Sequence, residues 1–185
     1  MRSLPTKLTG PILLAPTVHG DERGFFLESY RRSALADLGV EDQFVQDNHS
    51  RSREGVVRGM HFQVGQAKLV RCVRGAIFDV IVDIRSGSPQ FGEWEAFRLD
   101  DAEHRQLYVP DGFAHGFCVL SELADVTYKV STYYDAAAES GFSYADPDVA
   151  IEWPEAERLI GSERDRGAPT LAQRRDSLPF TYVDA

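Results

Sequence analysis

The segment Phe78-Asp79-Val80-Ile81-Val82-Asp83-Ile84 constrains this chain most, because its side chains repeat every two residues and so demand an extended strand. Phe78, Val80, Val82 and Ile84 share one face, while Asp79 and Asp83 interrupt the other and read as the wet side of an antiparallel sheet in preference to pocket residues. Similar stretches recur at 23–30, 56–63, 68–73, 94–99, 105–110, 115–120 and 125–134. Turn signals part them at short, even intervals: RG at 74–75, SGSP at 86–89 and PDG at 110–112. That spacing predicts an all-β sandwich or barrel. Helix is scarce, with one short segment predicted over 33–39, ended by Gly39, and a second from Thr170 to about Asp176 after Pro169. No repeat or linker divides the chain, so residues 1–185 are expected to form a single domain.

A formal charge of −9 and a pI near 5.0 argue against nucleic acid or an anionic membrane as partner, and require any anionic substrate to meet a locally basic pocket. Cys72 and Cys118 lie in apolar runs without metal-binding spacing and read as buried, reduced thiols. The N-terminus has too few consecutive apolar residues for a signal peptide and no run approaches membrane-spanning length, which predicts a cytoplasmic protein.

The chemistry concentrates in Gly55–Lys68, GVVRGMHFQVGQAK. On a strand His61 and Gln63 share a face, where a metal site would want a second histidine or a carboxylate. Lys68, expected on the adjoining strand, brings a cation without a metal, which suits a reaction that develops negative charge on a substrate oxygen. Arg58 sits in an apolar run and needs a partner. Taken singly, His61 and Tyr128 read as structural residues, Asp165 as part of a solvated charged turn, and His19, His49 and His104 carry no assigned role.

Gly55 to His61 followed by Pro110, Gly112 and His115 resembles the two signature stretches of the cupin superfamily, small jelly-roll β-barrels. Gln63 and Lys68 stand where two metal ligands would be, so the resemblance implies a barrel without a metal. Ten blocks in order carry a closer likeness. They are DERGFFLESY (21–30), QDNHSRS (46–52), GVVRGMHFQ (55–63), QAKLV (66–70), FDVIVDIRSGSPQFGEW (78–94), YVPDGFAHGF (108–117), YKVSTYY (128–134), DP (146–147), EWP (152–154) and SERD (162–165). Over nearly its whole length the chain resembles the dTDP-4-dehydrorhamnose 3,5-epimerases.

That resemblance implies cofactor-free epimerisation of a dTDP-4-keto-6-deoxyhexose at C3 and C5, or at one of them. It implies His61 as base, Asp165 as its orienting acid, Tyr128 as proton donor, and Lys68 with His115 at the developing oxyanion. Arg23 and Arg58 would hold the diphosphate; Glu28, Gln46 and Asn48 would read the base and ribose, with Phe26 stacking. Tyr134 would order the sugar, and Glu139 and Arg164 would add contacts, Arg164 in place of a lysine. It also implies a homodimer in which Arg23 and Glu28 act in the partner's pocket. Two alternatives to epimerase chemistry stand beside it: a metal-dependent cupin isomerase or oxygenase, and a non-catalytic sugar-nucleotide binder. Only six residues separate His61 from Lys68, shorter than the family's usual loop, which reshapes the cover of the pocket.

Overall fold

In a computed structural model, which describes residues 1–183, the alternating segments become thirteen strands. The first five are β1 (Arg2–Leu4), β2 (Ile12–Ala15), β3 (Val18–Asp21), β4 (Gly24–Leu27) and β5 (Gln46–Arg53). Next come β6 (Val57–Gln63), β7 (Lys68–Arg74), β8 (Ala76–Asp83) and β9 (Trp94–Asp100). The last are β10 (Gln106–Val109), β11 (Phe113–Val119), β12 (Leu123–Val130) and β13 (Glu139–Gly141). Three short helices, α1 (Arg32–Ala36), α2 (Glu163–Arg166) and α3 (Leu171–Arg174), complete the chain with two 3-10 turns. The 23–30 segment pairs only over β4, and the 125–134 segment leaves the sheet after Val130.

Six strands form one antiparallel sheet in the order β1-β2-β10-β7-β12-β5, and five form a second in the order β13-β6-β11-β8-β9. β3 and β4 make a separate hairpin. Between the two large sheets lies a core built from Val70, Cys72, Ile77, Ile81, Leu107 and Phe117 with their neighbours. Burying each such aliphatic or aromatic side chain contributes roughly 1.5–3 kcal/mol. Both cysteines are free and buried, and burial pushes the thiol of Cys72 up to about 12 and that of Cys118 up to about 11, which leaves them unreactive.

β8 departs from the wet-face expectation. Asp79 and Asp83 are wholly buried, because they point into the barrel beside Ile77 and Ile81. Each has a partner there: Asp79 binds His115, while Asp83 accepts from Arg85 and Ser88. The opposite face, with Val80, Val82 and Ile84, is dry as well, since the segment after β13 folds back over it with Phe142, Tyr144, Trp153, Leu171 and Phe180. A sheet covered on both sides loses the simple in/out alternation of a half-wet one.

Candidate active site

A cavity of about 650 Å³ opens between the two sheets, walled on one side by β5, β7 and β12 and on the other by β6 and β11, with α2 and the start of β13 at its rim. His61 and Lys68 are therefore not on adjoining strands. Their strands follow one another in sequence but belong to opposite sheets, so the imidazole and the ammonium face each other across the barrel rather than side by side. Lys68 Nζ donates to the carbonyl oxygen of His61 at 3.3 Å.

The pleat would send residues three apart to opposite faces, yet Arg58 and His61 both line the cavity. A register shift in the β6–β11 ladder makes this possible: His115 pairs with His61, and two residues later Phe117 pairs with Arg58, three residues from His61. The extra residue on β6 is a bulge, a device that re-aims a side chain. It lies at Gly59, whose φ of 137° suits glycine and where an added Cβ would stand 2.5 Å from Gly116 Cα.

His61 Nε2 donates to Asp165 Oδ1 at 2.7 Å, which leaves Nδ1 with its lone pair free. Asp165 does not sit in a solvated turn. It is buried on α2, whose N-cap Ser162 accepts the Asp165 backbone N–H at 3.0 Å, and S-x-x-D at 162–165 is the sequence signal for that start. Burial alone would raise the Asp165 carboxyl, but hydrogen bonds from His61, Ser162 and the Gly59 amide hold it below its ordinary value.

A second histidine–carboxylate pair stands beside the first, on the neighbouring strand. His115 Nε2 lies 3.0 and 2.9 Å from the two oxygens of buried Asp79. Lys68, also buried, is pushed down to about 8 by loss of water, a shift that the charges of Glu139 and Asp79 partly offset. Opposite His61, on β12, Tyr128 has its phenol raised by burial and by the Glu139 carboxylate, against the lowering effect of Arg58. It keeps its proton at neutral pH.

Of the other residues singled out from the sequence, Gln46, Asn48, Arg58, Tyr134, Glu139 and Arg164 all reach the cavity. Gln46 Nε2 donates to Asn48 Oδ1 at 2.8 Å, and Arg58 Nε to Ser52 Oγ at 3.1 Å, the partner that arginine required. Tyr134 lies beyond the end of β12, half exposed, with its hydroxyl 3.3 Å from Glu139 Oε2, and Arg164 pairs with the same carboxylate. Arg58, Lys68 and Arg164 supply the local positive charge that an acidic protein needs to receive an anion. Arg23, Phe26 and Glu28 are not in this cavity. They belong to the β3–β4 hairpin and its exit, where Arg23 pairs with Asp21, Glu28 with Arg31, and Phe26 is exposed.

Of the histidines left without a role, His49 bonds Asp125 on the outer face of the six-stranded sheet and His104 stacks on Phe25. Gln63, the would-be metal position, spends its amide on residues 132–135. Among the described residues no three His, Cys, Asp or Glu side chains come together as a metal-binding group.

The sequence model of dTDP-4-dehydrorhamnose 3,5-epimerase matches residues 5–173. The chain belongs to this family of epimerases. The Salmonella typhimurium dTDP-4-dehydrorhamnose 3,5-epimerase is 47% identical over 174 residues, 92% of this chain and 95% of that one. A dTDP-4-dehydrorhamnose 3-epimerase of Streptomyces niveus is 45% identical over 99% of this chain and 90% of its own. Among solved structures, a 3,5-epimerase from Legionella pneumophila in complex with dTDP-4-keto-L-rhamnose superposes with a TM-score of 0.95, at 43% identity and 99% coverage of both chains. The two-sheet barrel described above is thus the cupin-type jelly roll of the family.

Proposed function

We propose that the protein epimerises a dTDP-4-keto-6-deoxyhexose at C3 and C5, converting dTDP-4-dehydro-6-deoxyglucose to dTDP-4-dehydrorhamnose. One observation carries this reading: a carboxylate-backed imidazole and a protonated phenol stand on opposite walls of one cavity, with a buried ammonium lining it. Inversion next to a ketone needs a base on one face, an acid on the other, and a group to meet the enolate oxygen.

His61 Nδ1 takes the hydrogen from the carbon beside the ketone, and Asp165 stabilises the imidazolium that forms. The electron pair moves onto the C4 oxygen, where Lys68, with His115 beside it, faces the developing negative charge. Tyr128 delivers a proton to the opposite face of the carbon, and the imidazolium and phenolate then exchange protons with water to restore the site. The substrate's own ketone activates the hydrogen, so no cofactor enters the scheme. Arg58 suits the diphosphate, since a planar guanidinium can hold phosphate oxygens with paired hydrogen bonds. Gln46 and Asn48 border the place for base and ribose, Tyr134 that for the sugar, and the Glu139–Arg164 pair closes the rim.

The working unit in this reading is a homodimer. The hairpin carries Arg23, Phe26 and Glu28 away from the chain's own cavity and exposes Phe25 and Phe26 at 60% and 71%, an arrangement that fits insertion into a partner.

A second reading is epimerisation at C3 alone, favoured by the 45% identity to the Streptomyces niveus 3-epimerase. Turnover of the 4-keto sugar nucleotide in deuterated water separates the two. Deuterium at C3 and C5 is the expected result, deuterium at C3 only establishes the second reading, and no deuterium with intact protein defeats both. His61→Asn should abolish the exchange.

A further inference from the structure

The segment 132–135 carries Tyr134 after the chain has left β12 and after the last strand-like bond, from the Ser131 amide to Ala67 O at 3.0 Å, so it has lost the ladder that would satisfy it. Three glutamine side chains take over. Gln63 Nε2 donates to Tyr133 O at 2.9 Å and to Thr132 Oγ1 at 3.2 Å, and its Oε1 accepts from the Asp135 amide at 2.9 Å. Gln66 Nε2 donates to Thr132 O at 3.2 Å, and Gln46 Oε1 accepts from the Tyr134 amide at 3.0 Å.

Gln63 is the centre of this clamp. It is buried, makes three of the four hydrogen bonds an amide can make, and grips the chain on both sides of residue 134. It also lies two residues from His61 on the same strand, opposite Glu139 in the β6–β13 ladder, and Glu139 is the group the Tyr134 hydroxyl reaches. The strand that bears the imidazole and the loop that bears the tyrosine are thus tied by one side chain. A buried polar network with its partners in place holds a single geometry.

We propose that Gln63 is a positioning residue for the sugar nucleotide, acting by fixing Tyr134 at the cavity mouth. This rests on Tyr134 contacting the substrate, as the proposed function has it. Leucine at 63 keeps the volume and loses all three bonds, freeing residues 132–135 to move.

The test is a double-mutant cycle read as KM and kcat. Gln63→Leu is expected to raise KM about tenfold with kcat within about twofold, and to add nothing to the KM already raised by Tyr134→Ala. Gln63→Glu, which keeps the acceptor for the Asp135 amide and loses both donations, should give an intermediate KM and serves if the leucine variant does not fold. If Tyr134→Ala raises KM while neither Gln63 variant does, or if the two effects simply add, the clamp is refuted and the tyrosine's role survives. If Tyr134→Ala leaves KM unchanged, the assignment of Tyr134 to the substrate falls, and the clamp with it.

Discussion

His61 and His115 sit directly opposite each other across the β6–β11 ladder, yet their carboxylate partners come from different layers: Asp165 from a helix on the folded-back segment, Asp79 from the neighbouring strand β8. The difference matters for their roles. Asp79 lies in the wall of the barrel with both its oxygens on His115, whereas Asp165 approaches His61 from the cavity rim and engages Nε2 alone.

Asp165→Asn should preserve size while removing the charge that supports the imidazolium and favouring the wrong tautomer. The expected loss is about 10²- to 10⁴-fold in kcat with little change in KM. Steady-state kinetics of the purified variant check this, and a kcat within threefold of the parent would show that His61 works alone.

Tyr128→Phe removes the proton donor of the proposed mechanism but leaves its base. Solvent deuterium should still wash into the substrate through His61, while inverted product falls by about 10²-fold or more. NMR of the recovered sugar separates exchange from inversion.

Lys68→Met should move stability and activity in opposite directions. The Lys68 ammonium, at about 8 in the folded protein, lies below its unfolded value of 10.5, so between these pH values the unfolded chain holds more protons and stability rises with pH. Below about 8 the buried charge is a cost to folding, and methionine should stabilise the protein by about 1–4 kcal/mol at pH 7 while lowering kcat. In the parent, activity should decline as pH rises through about 8, where the ammonium is lost. Denaturant unfolding at pH 7 and 10, beside a pH–rate profile, reads both effects.

Gly59→Ala places a methyl 2.5 Å from the Gly116 backbone at a φ of 137°. A loss of at least about 3 kcal/mol is expected, equivalent to a Tm roughly 6–12 °C lower. Calorimetry decides, and an unchanged Tm would mean that β6 and β11 can part without cost.

Charging the exposed β4 side of the hairpin, Phe25→Asp with Phe26→Asp, should shift light-scattering mass from dimer to monomer and depress activity with it. A dimer of unchanged mass would place the interface elsewhere.

Much of this architecture was legible because backbone pleating writes itself into side-chain order. β6, β7, β9, β10 and β11 fall within two residues of their expected ends. What escaped depends on distant chain. Asp79 and Asp83 look like a wet face until residues 142–180 are known to cover the other side of β8. The short strands β1, β2 and β13, and β5 with its polar sequence QDNHSRSR, lack the apolar alternation that marks a strand. The His61–Asp165 contact spans 104 residues, and no local pattern encodes it; only resemblance to a known family brought the two together. The bulge at Gly59 and the grip of Gln63 on the 132–135 loop left no trace a periodicity could reveal.

Because the carboxylate behind His61 rides on α2, all the strands of both barrel sheets precede it in the chain. The same stretch after β13 brings Phe142, Tyr144, Trp153, Leu171 and Phe180 over the outer face of β8, so sealing the second sheet and giving His61 its counter-charge fall to one segment of chain.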